Sequence, residues 1–222
     1  MNVNLANPFE VILVLSALTM LPFAAVMISS FTKIIVVLGI LRNALGLQST
    51  PPNMVLNGLS LIMSCFIMYP VLQDTAARLE KQDFSQVTIR TIGTVWEDAS
   101  QPVATFLKDN SKAEMRQFFL GVAKRTWPAP YRDTVKEGDM MVLIPSFTVS
   151  ELSTAFQIGF IIYLPFVIID LVVSNILMAL GIIMIAPTTI SLPFKLLLFF
   201  LVDGWRRLME GLIATYHLTP PV

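Results

Sequence analysis

Hydrophobic positions in this chain fall into two long blocks on either side of one charged stretch, and within each block they run on rather than alternate. Residues 11–32 hold no charge over 22 positions, and residues 54–73 hold none over 20. Each run is long enough to cross a hydrocarbon core of about 30 Å as a helix rising about 1.5 Å per residue. Between them the chain stays apolar from Ile34 to Leu41 and then turns polar, so the first helix is expected to continue well past its nominal span. Gly46 and the Ser49-Thr50-Pro51-Pro52 run predict a stop and a fresh start, with Ser49 or Thr50 as cap and proline in the first turn.

The second block, residues 140–203, carries four charges in 64 positions: Glu151, Asp170, Lys195 and Asp203. Two membrane-length helices are predicted, over about 149–180 and about 192–214. Pro187 and Pro193 bound the link between them. Residues 74–139 hold ten basic and ten acidic side chains, two-thirds of the charge in the chain, and so read as a small water-facing insert. Within it Met115, Phe118, Phe119 and Val122 share one face at helical spacing, and Trp127-Pro128-Ala129-Pro130 ends that helix. No strand-like alternation of useful length occurs. The pattern predicts an all-α, polytopic membrane protein in three parts: a hydrophobic helical hairpin over 1–73, a charged helical insert over 74–139, and a second hydrophobic hairpin over 140–222.

Composition agrees. Hydrophobic residues make up 55% of the 222 positions, mean hydropathy is +0.72, and charged residues are only 14%, against about 25% in an average soluble domain. The net charge of zero provides no field that would draw the chain to nucleic acid. One cysteine, Cys65, excludes an internal disulfide and a cysteine metal cluster, and is expected to be a small core residue. His217 is the only histidine and lacks the positioned partner that acid–base catalysis needs. No nucleophile elbow, metalloprotease helix, phosphate loop or dinucleotide fingerprint occurs, so neither an enzyme nor a cofactor is expected. Ser60 with Ser64, and Ala155 with Gly159, are small-xxx-small pairs that permit close helix approach. The first ten residues contain no Lys or Arg, a poor start for a cleavable signal peptide. Lys33 and Arg42 direct the first connector to the cytoplasm, whereas Arg206 and Arg207 argue the other way.

A charge at membrane depth costs roughly 2.5–3.5 kcal/mol on insertion scales and needs a reason. Two readings of Lys33, Arg42, Glu151, Asp170, Lys195 and Asp203 compete. They line an ion path, as in a secondary transporter built around Asp170 and Glu151, or they pair across helix or subunit contacts. A transporter would show repeat symmetry between its halves, and none is visible. Most of these charges sit near the ends of apolar runs, where they can snorkel or pair; Asp170 lies deep within one.

Three longer motifs carry a resemblance. The first is Phe31-Thr32-Lys33-Ile34-Ile35-Val36-Val37-Leu38, continuing through Leu41-Arg42-Asn43-Ala44-Leu45-Gly46 to Pro51-Pro52-Asn53. The second is Pro145-Ser146-Phe147, with Glu151-Leu152, Ala155-Phe156-Gln157-Ile158-Gly159-Phe160, Leu164-Pro165-Phe166 and Ile169-Asp170. The third is Leu192-Pro193-Phe194-Lys195-Leu196 with Val202-Asp203-Gly204-Trp205. In this order, over nearly the whole chain, they resemble the SctR/FliP family of type III export proteins. Flagellar members are similar but usually longer, with a cleavable signal peptide, so the resemblance favours the SctR branch of injectisomes.

The resemblance implies an inner-membrane, multi-pass apparatus subunit that forms a homopentamer. This joins SctS and SctT in a closed export gate, with SctU around its entrance, and the gate is raised largely into the periplasmic space of the secretion base. Its cargo would be unfolded protein. The family also places a methionine-rich apolar gasket just after the segment matching Leu177-Met178-Ala179-Leu180-Gly181. The corresponding residues here are Ile182, Ile183 and Met184, two stiff β-branched side chains and one flexible one. The competing reading is that these three simply pack a helix end.

Overall fold

The computed structural model describes residues 8–81, 89–182 and 184–217, and among them there are helices and no strand. Their order is α1 (Pro8–Met27), α2 (Phe31–Ala44), α3 (Asn53–Glu80), α4 (Ile89–Asp109), α5 (Ala113–Thr126), α6 (Tyr131–Thr134), α7 (Met140–Ala179), α8 (Pro187–Leu201) and α9 (Gly204–Ala214). The all-α prediction holds. Among the described residues two helices, α3 and α7, are long and apolar enough to cross a membrane. A third span is available if α8 and α9, which meet at a 62° bend, count as one.

The apolar run 11–32 does not continue as one helix. It breaks at residues 28–30, where hydroxyls compete for the backbone. Ser29 Oγ donates to the Val26 carbonyl and accepts from the Phe31 amide, both at 3.4 Å, and Thr32 Oγ1 also donates to the Val26 carbonyl. The α2 helix that follows is the centre of the bundle. Ile34, Val37, Leu38 and Leu41 are almost fully buried between α3 on one side and α7 on the other. It ends in a Schellman motif: Gly46 has φ +77°, its amide reaches the Asn43 carbonyl, and the Leu47 amide reaches that of Arg42. The expected hydroxyl cap on α3 is not formed; Pro52 occupies the N-cap position and makes no side-chain cap.

The α7 helix begins at Met140, nine residues before the expected start. Pro145 lies within its second turn and removes only one amide from the ladder. At 40 residues it is about 60 Å long, twice the thickness of a hydrocarbon core. Its first turns therefore serve another purpose. Val142 packs with Ala123 and Val135, and Phe147 meets the Phe106 ring of α4 at 5.6 Å, so α4 and α5 are pinned to the start of α7. Ser150 Oγ accepts the Lys112 amide at the N-cap of α5. On α5 the inward side chains are Phe119 and Ala123, whereas Phe118 points out, contrary to the shared face expected for the two phenylalanines.

The second expected long helix of the C-terminal block is two helices. The link is also shorter than expected, because Pro187 takes the first position of α8, where a missing amide costs nothing, and 188–192 are helical. The bend after α8 has a local cause. Asp203 adopts the left-handed conformation (φ 54°, ψ 49°). Gly204 beside it has no side chain to obstruct the Phe199 ring, whose Cε2 lies 2.3 Å from where a Cβ would be. Trp205 then meets the same ring edge-on at 5.4 Å. The motif Val202-Asp203-Gly204-Trp205 is thus a corner.

Much apolar surface stays uncovered. On α3, Met54, Ile62, Phe66 and Tyr69 are exposed, as are Phe156, Phe160, Ile161 and Ile168 on α7 and Phe200 on α8. Cys65 lies on this outer face of α3 and not in the core. An apolar surface of this extent in one chain fits lipid or partner subunits.

Candidate functional site

The buried charges converge as two clusters, each joining helices distant in sequence. In the first, Lys33 Nζ of α2 meets Glu151 Oε1 of α7 at 2.9 Å, with side-chain exposures of 2% and 3%. Tyr216, just past α9, completes it. Its hydroxyl donates to Glu151 Oε2, with the Ser30 carbonyl 3.3 Å away. Lys33 Nζ also sits 3.6 Å from the centre of the Tyr216 ring, so the cation has a carboxylate on one side and a π face on another. Burial above all, and then the neighbouring Glu151 carboxylate, push the Tyr216 phenol far above its ordinary pKa, so it remains a donor. Ser30 Oγ donates to Ser64 Oγ at 3.1 Å and brings α3 to the same place. Ser60 and Ser64 are both buried, as close helix approach requires.

In the second cluster, Lys195 of α8 donates to Asp170 Oδ2 of α7 at 2.7 Å and to the Ala44 carbonyl at 3.0 Å. Lys195 thereby supplies a cation to the C-terminus of α2, where free carbonyls and the helix dipole favour one. Ser191 Oγ, one turn before, donates to Asp170 Oδ1. Asp170, deep in its apolar stretch, therefore has both oxygens bonded.

The remaining candidates are placed differently. Among the described residues Arg42 meets no acid; its Nη1 donates to Asn53 Oδ1 at 2.6 Å and to the Pro51 carbonyl at 3.4 Å, closing the loop within the first motif. Asp203 is exposed, and its carboxylate accepts from Arg206 at 2.7 Å. Ile182 follows a second Schellman motif, in which Gly181 (φ +72°) bonds the Met178 carbonyl and the Ile182 amide bonds that of Leu177. Ile182 is 37% exposed and Met184 is fully exposed, while Ile183 lies outside the described residues. Among the described residues no group of His, Cys, Asp and Glu is arranged to hold a metal.

Tyr216 and Asn110 were not singled out by sequence reasoning. A signal for Tyr216 existed: Leu208, Leu212 and Tyr216 recur every four residues and mark one helical face. Asn110 had none, because its partner is backbone.

Removing Lys195 should destabilise the protein moderately. Asp170 keeps 31% exposure and can recruit water, so Lys195→Ala is expected to cost about 1–3 kcal/mol, the range for a charged group left partly unsatisfied. Thermal unfolding in detergent would measure this; an unchanged midpoint would mean that Lys195 is not a tie.

The model of the FliP family matches residues 14–212, an interval containing all three motifs and both clusters. The chain is 47% identical over 214 residues to the Yop proteins translocation protein R of Yersinia pestis, covering 96% of this chain and 99% of that protein. It is 46% identical over 203 residues to the hypersensitivity response secretion protein HrcR of Ralstonia nicotianae, covering 90% and 94%. It is 44% identical over 211 residues to the virulence protein YscR of Salmonella typhimurium, covering 95% and 97%.

Proposed function

The chain belongs to the FliP family, and on that premise we propose that it is a non-catalytic core subunit of the type III secretion export gate, in the injectisome branch. The observation that carries this reading is similarity at 44–47% identity along almost the whole chain to proteins named for translocation and virulence. In this proposal several copies, five by family resemblance, close a ring with SctS and SctT, SctU surrounds the entrance, and unfolded protein passes through the lumen. The uncovered apolar faces of α3 and α7 support it, since they need lipid or neighbouring subunits. The charges of Lys33, Glu151, Asp170 and Lys195 tie helices within a subunit, while Arg42 and Asp203 shape its loops. In this proposal the chain divides into 1–73, 74–139 and 140–222, and the charged insert lies on the periplasmic side of an inner-membrane protein, as Lys33 and Arg42 in the first connector favour. The gate as a whole stands raised into the secretion base.

The gasket is proposed at Ile182, Ile183 and Met184. Supporting it, Met184 is fully exposed and Ile182 partly so in a single subunit, which leaves them available to line a lumen. A narrow apolar neck excludes ions because water is unstable in it. Changing all three residues to glycine is expected to leave the assembled complex intact, with unaltered native mass, while raising ion conductance across membranes that carry it. Loss of the complex would mean that these side chains pack a helix end. An intact complex with unchanged, closed conductance would reject the gasket at these residues.

A further inference from the structure

The α9 helix packs on the core through Leu212, with Leu208, Met209 and Ile213 beside it, and is held at its two ends. At its start, Asp203 in the left-handed conformation and Gly204 against the Phe199 ring form a corner of 62°. At its far end, Tyr216 is buried to 7% exposure, stacks on Phe106 of α4 at 6.0 Å and donates to Glu151. The next residue is held by an independent set of bonds. Asn110, just past α4, accepts the His217 amide at Oδ1 (2.8 Å) and donates from Nδ2 to the His217 carbonyl at 3.2 Å. A side-chain amide that pairs both ways with one residue's backbone fixes both its position and its orientation. Between corner and clasp an open, largely apolar groove of about 490 Å³ runs along α9, lined among others by Leu41, Ile162, Phe166, Leu208, Gly211 and Leu212.

We propose that α9 is a hinged strap, pivoting at Asp203–Gly204 and held shut by a clasp made of Tyr216 and Asn110. Two features of the clasp give the device its meaning. Its Tyr216 half rests on α2 and α7 through Lys33 and Glu151 and on α4 through Phe106, and its Asn110 half belongs to the charged insert. Displacement of α4 from α7 therefore withdraws Phe106 from Tyr216 and Asn110 from His217 and loosens α9, while the α2–α3–α7 core keeps its own ties through Lys33–Glu151 and Ser30–Ser64. The strap thus reports the position of the insert to the hydrophobic block. Asp203 allows this without further distortion because its conformation already departs from the helical one.

Hydrogen exchange on the full chain in detergent, read by mass spectrometry on α9 peptides, tests this independently of any role in export. Tyr216→Phe removes only the hydroxyl and keeps the ring. Combined with Asn110→Ala, it is expected to raise exchange across 204–214 roughly tenfold or more, the worth of one charge-accepting hydrogen bond, and to leave α2 and α3 unchanged. Asn110→Ala alone, which leaves every buried side chain in place, should raise it by roughly threefold, the worth of a neutral bond. A disulfide joining Asn110→Cys to His217→Cys in a Cys65→Ser background should slow α9 below the unmodified chain, with reduction reversing the effect. Wild-type exchange in α9 of both variants would overturn the proposal. So would acceleration spread equally over α2 and α7, which would make Tyr216 a general core residue and not a clasp.

Discussion

Replacing Glu151 with alanine is expected to leave little folded protein. Among the described residues its carboxylate is the only acid bonded to Lys33, and both side chains are at most 3% exposed. The ammonium would be left on the Tyr216 ring, which offsets only part of the cost of a buried cation, and the Tyr216 hydroxyl would lose its acceptor. Breaking a buried pair from one side costs about 3–5 kcal/mol, a large part of the 5–15 kcal/mol by which a typical domain is stable. The pair itself need not be a net stabiliser. Desolvating two ions consumes most of their attraction, so well-packed apolar residues of similar volume often serve as well. Lys33→Met with Glu151→Leu is therefore expected to recover most of the loss, with the Ser30 carbonyl at 3.3 Å taking over as acceptor for Tyr216. Yield and thermal unfolding in detergent separate the outcomes. A single variant that melts with the parent would show that Lys33 finds water, and a double variant no better than the single would show that the charges themselves are required.

The helices were legible because apolar runs of membrane length admit few alternatives, and their ends were legible wherever glycine or proline punctuated them. Gly46, Gly181 and the Pro128-Ala129-Pro130 stop all fall where the chain turns. What could not be read was rotation about each helix axis. A helix such as α7, apolar on every side, has no polar face to say which side is inward. Cys65 was misplaced for this reason, since on α3 the outward positions are as apolar as the inward ones, whereas Phe118 is a single large apolar side chain among the outward Glu114, Gln117, Lys124 and Arg125 of α5. The identity of charge partners was hidden too. Lys33 and Glu151 lie 118 residues apart, and spacing says nothing at that range. Two breaks, at 28–30 and at Val202–Asp203, depend on hydroxyls and a left-handed aspartate. Each is a tertiary or local polar effect that hydropathy does not register. The motifs nonetheless contain those very residues, with Lys33, Arg42, Glu151, Asp170, Lys195 and Asp203 at ties and corners.

Gly159→Leu is expected to separate α2 from α7, and this follows from space rather than charge. The Ala155–Gly159 face of α7 packs against α2 so closely that a Cβ at Gly159 would lie 2.3 Å from Ile40 Cδ1 and 3.0 Å from its Cγ2. Ile40 can rotate its terminal methyl away, but its β-branch is stiff within a helix and Cγ2 has no free rotamer to enter. Nor can the helices simply move apart. Lys33–Glu151 holds them two turns away on α7, and Lys195 ties the end of α2 to Asp170 in the other direction. Gly159→Ala should then cost about 1–3 kcal/mol, the usual range for overpacking, and Gly159→Leu more. Ile40→Ala makes the room that is missing. Alone it should be mildly destabilising, since Ile40 is only partly buried, yet it should rescue Gly159→Ala. The double variant is thus expected to be more stable than the two separate losses predict by at least about 1 kcal/mol, a coupling typical of residues in direct contact. Unfolding midpoints of the four proteins in one detergent complete the cycle. Strict additivity would show that Gly159 is not held against Ile40, and that the tight α2–α7 seam is not what positions the two buried charge clusters.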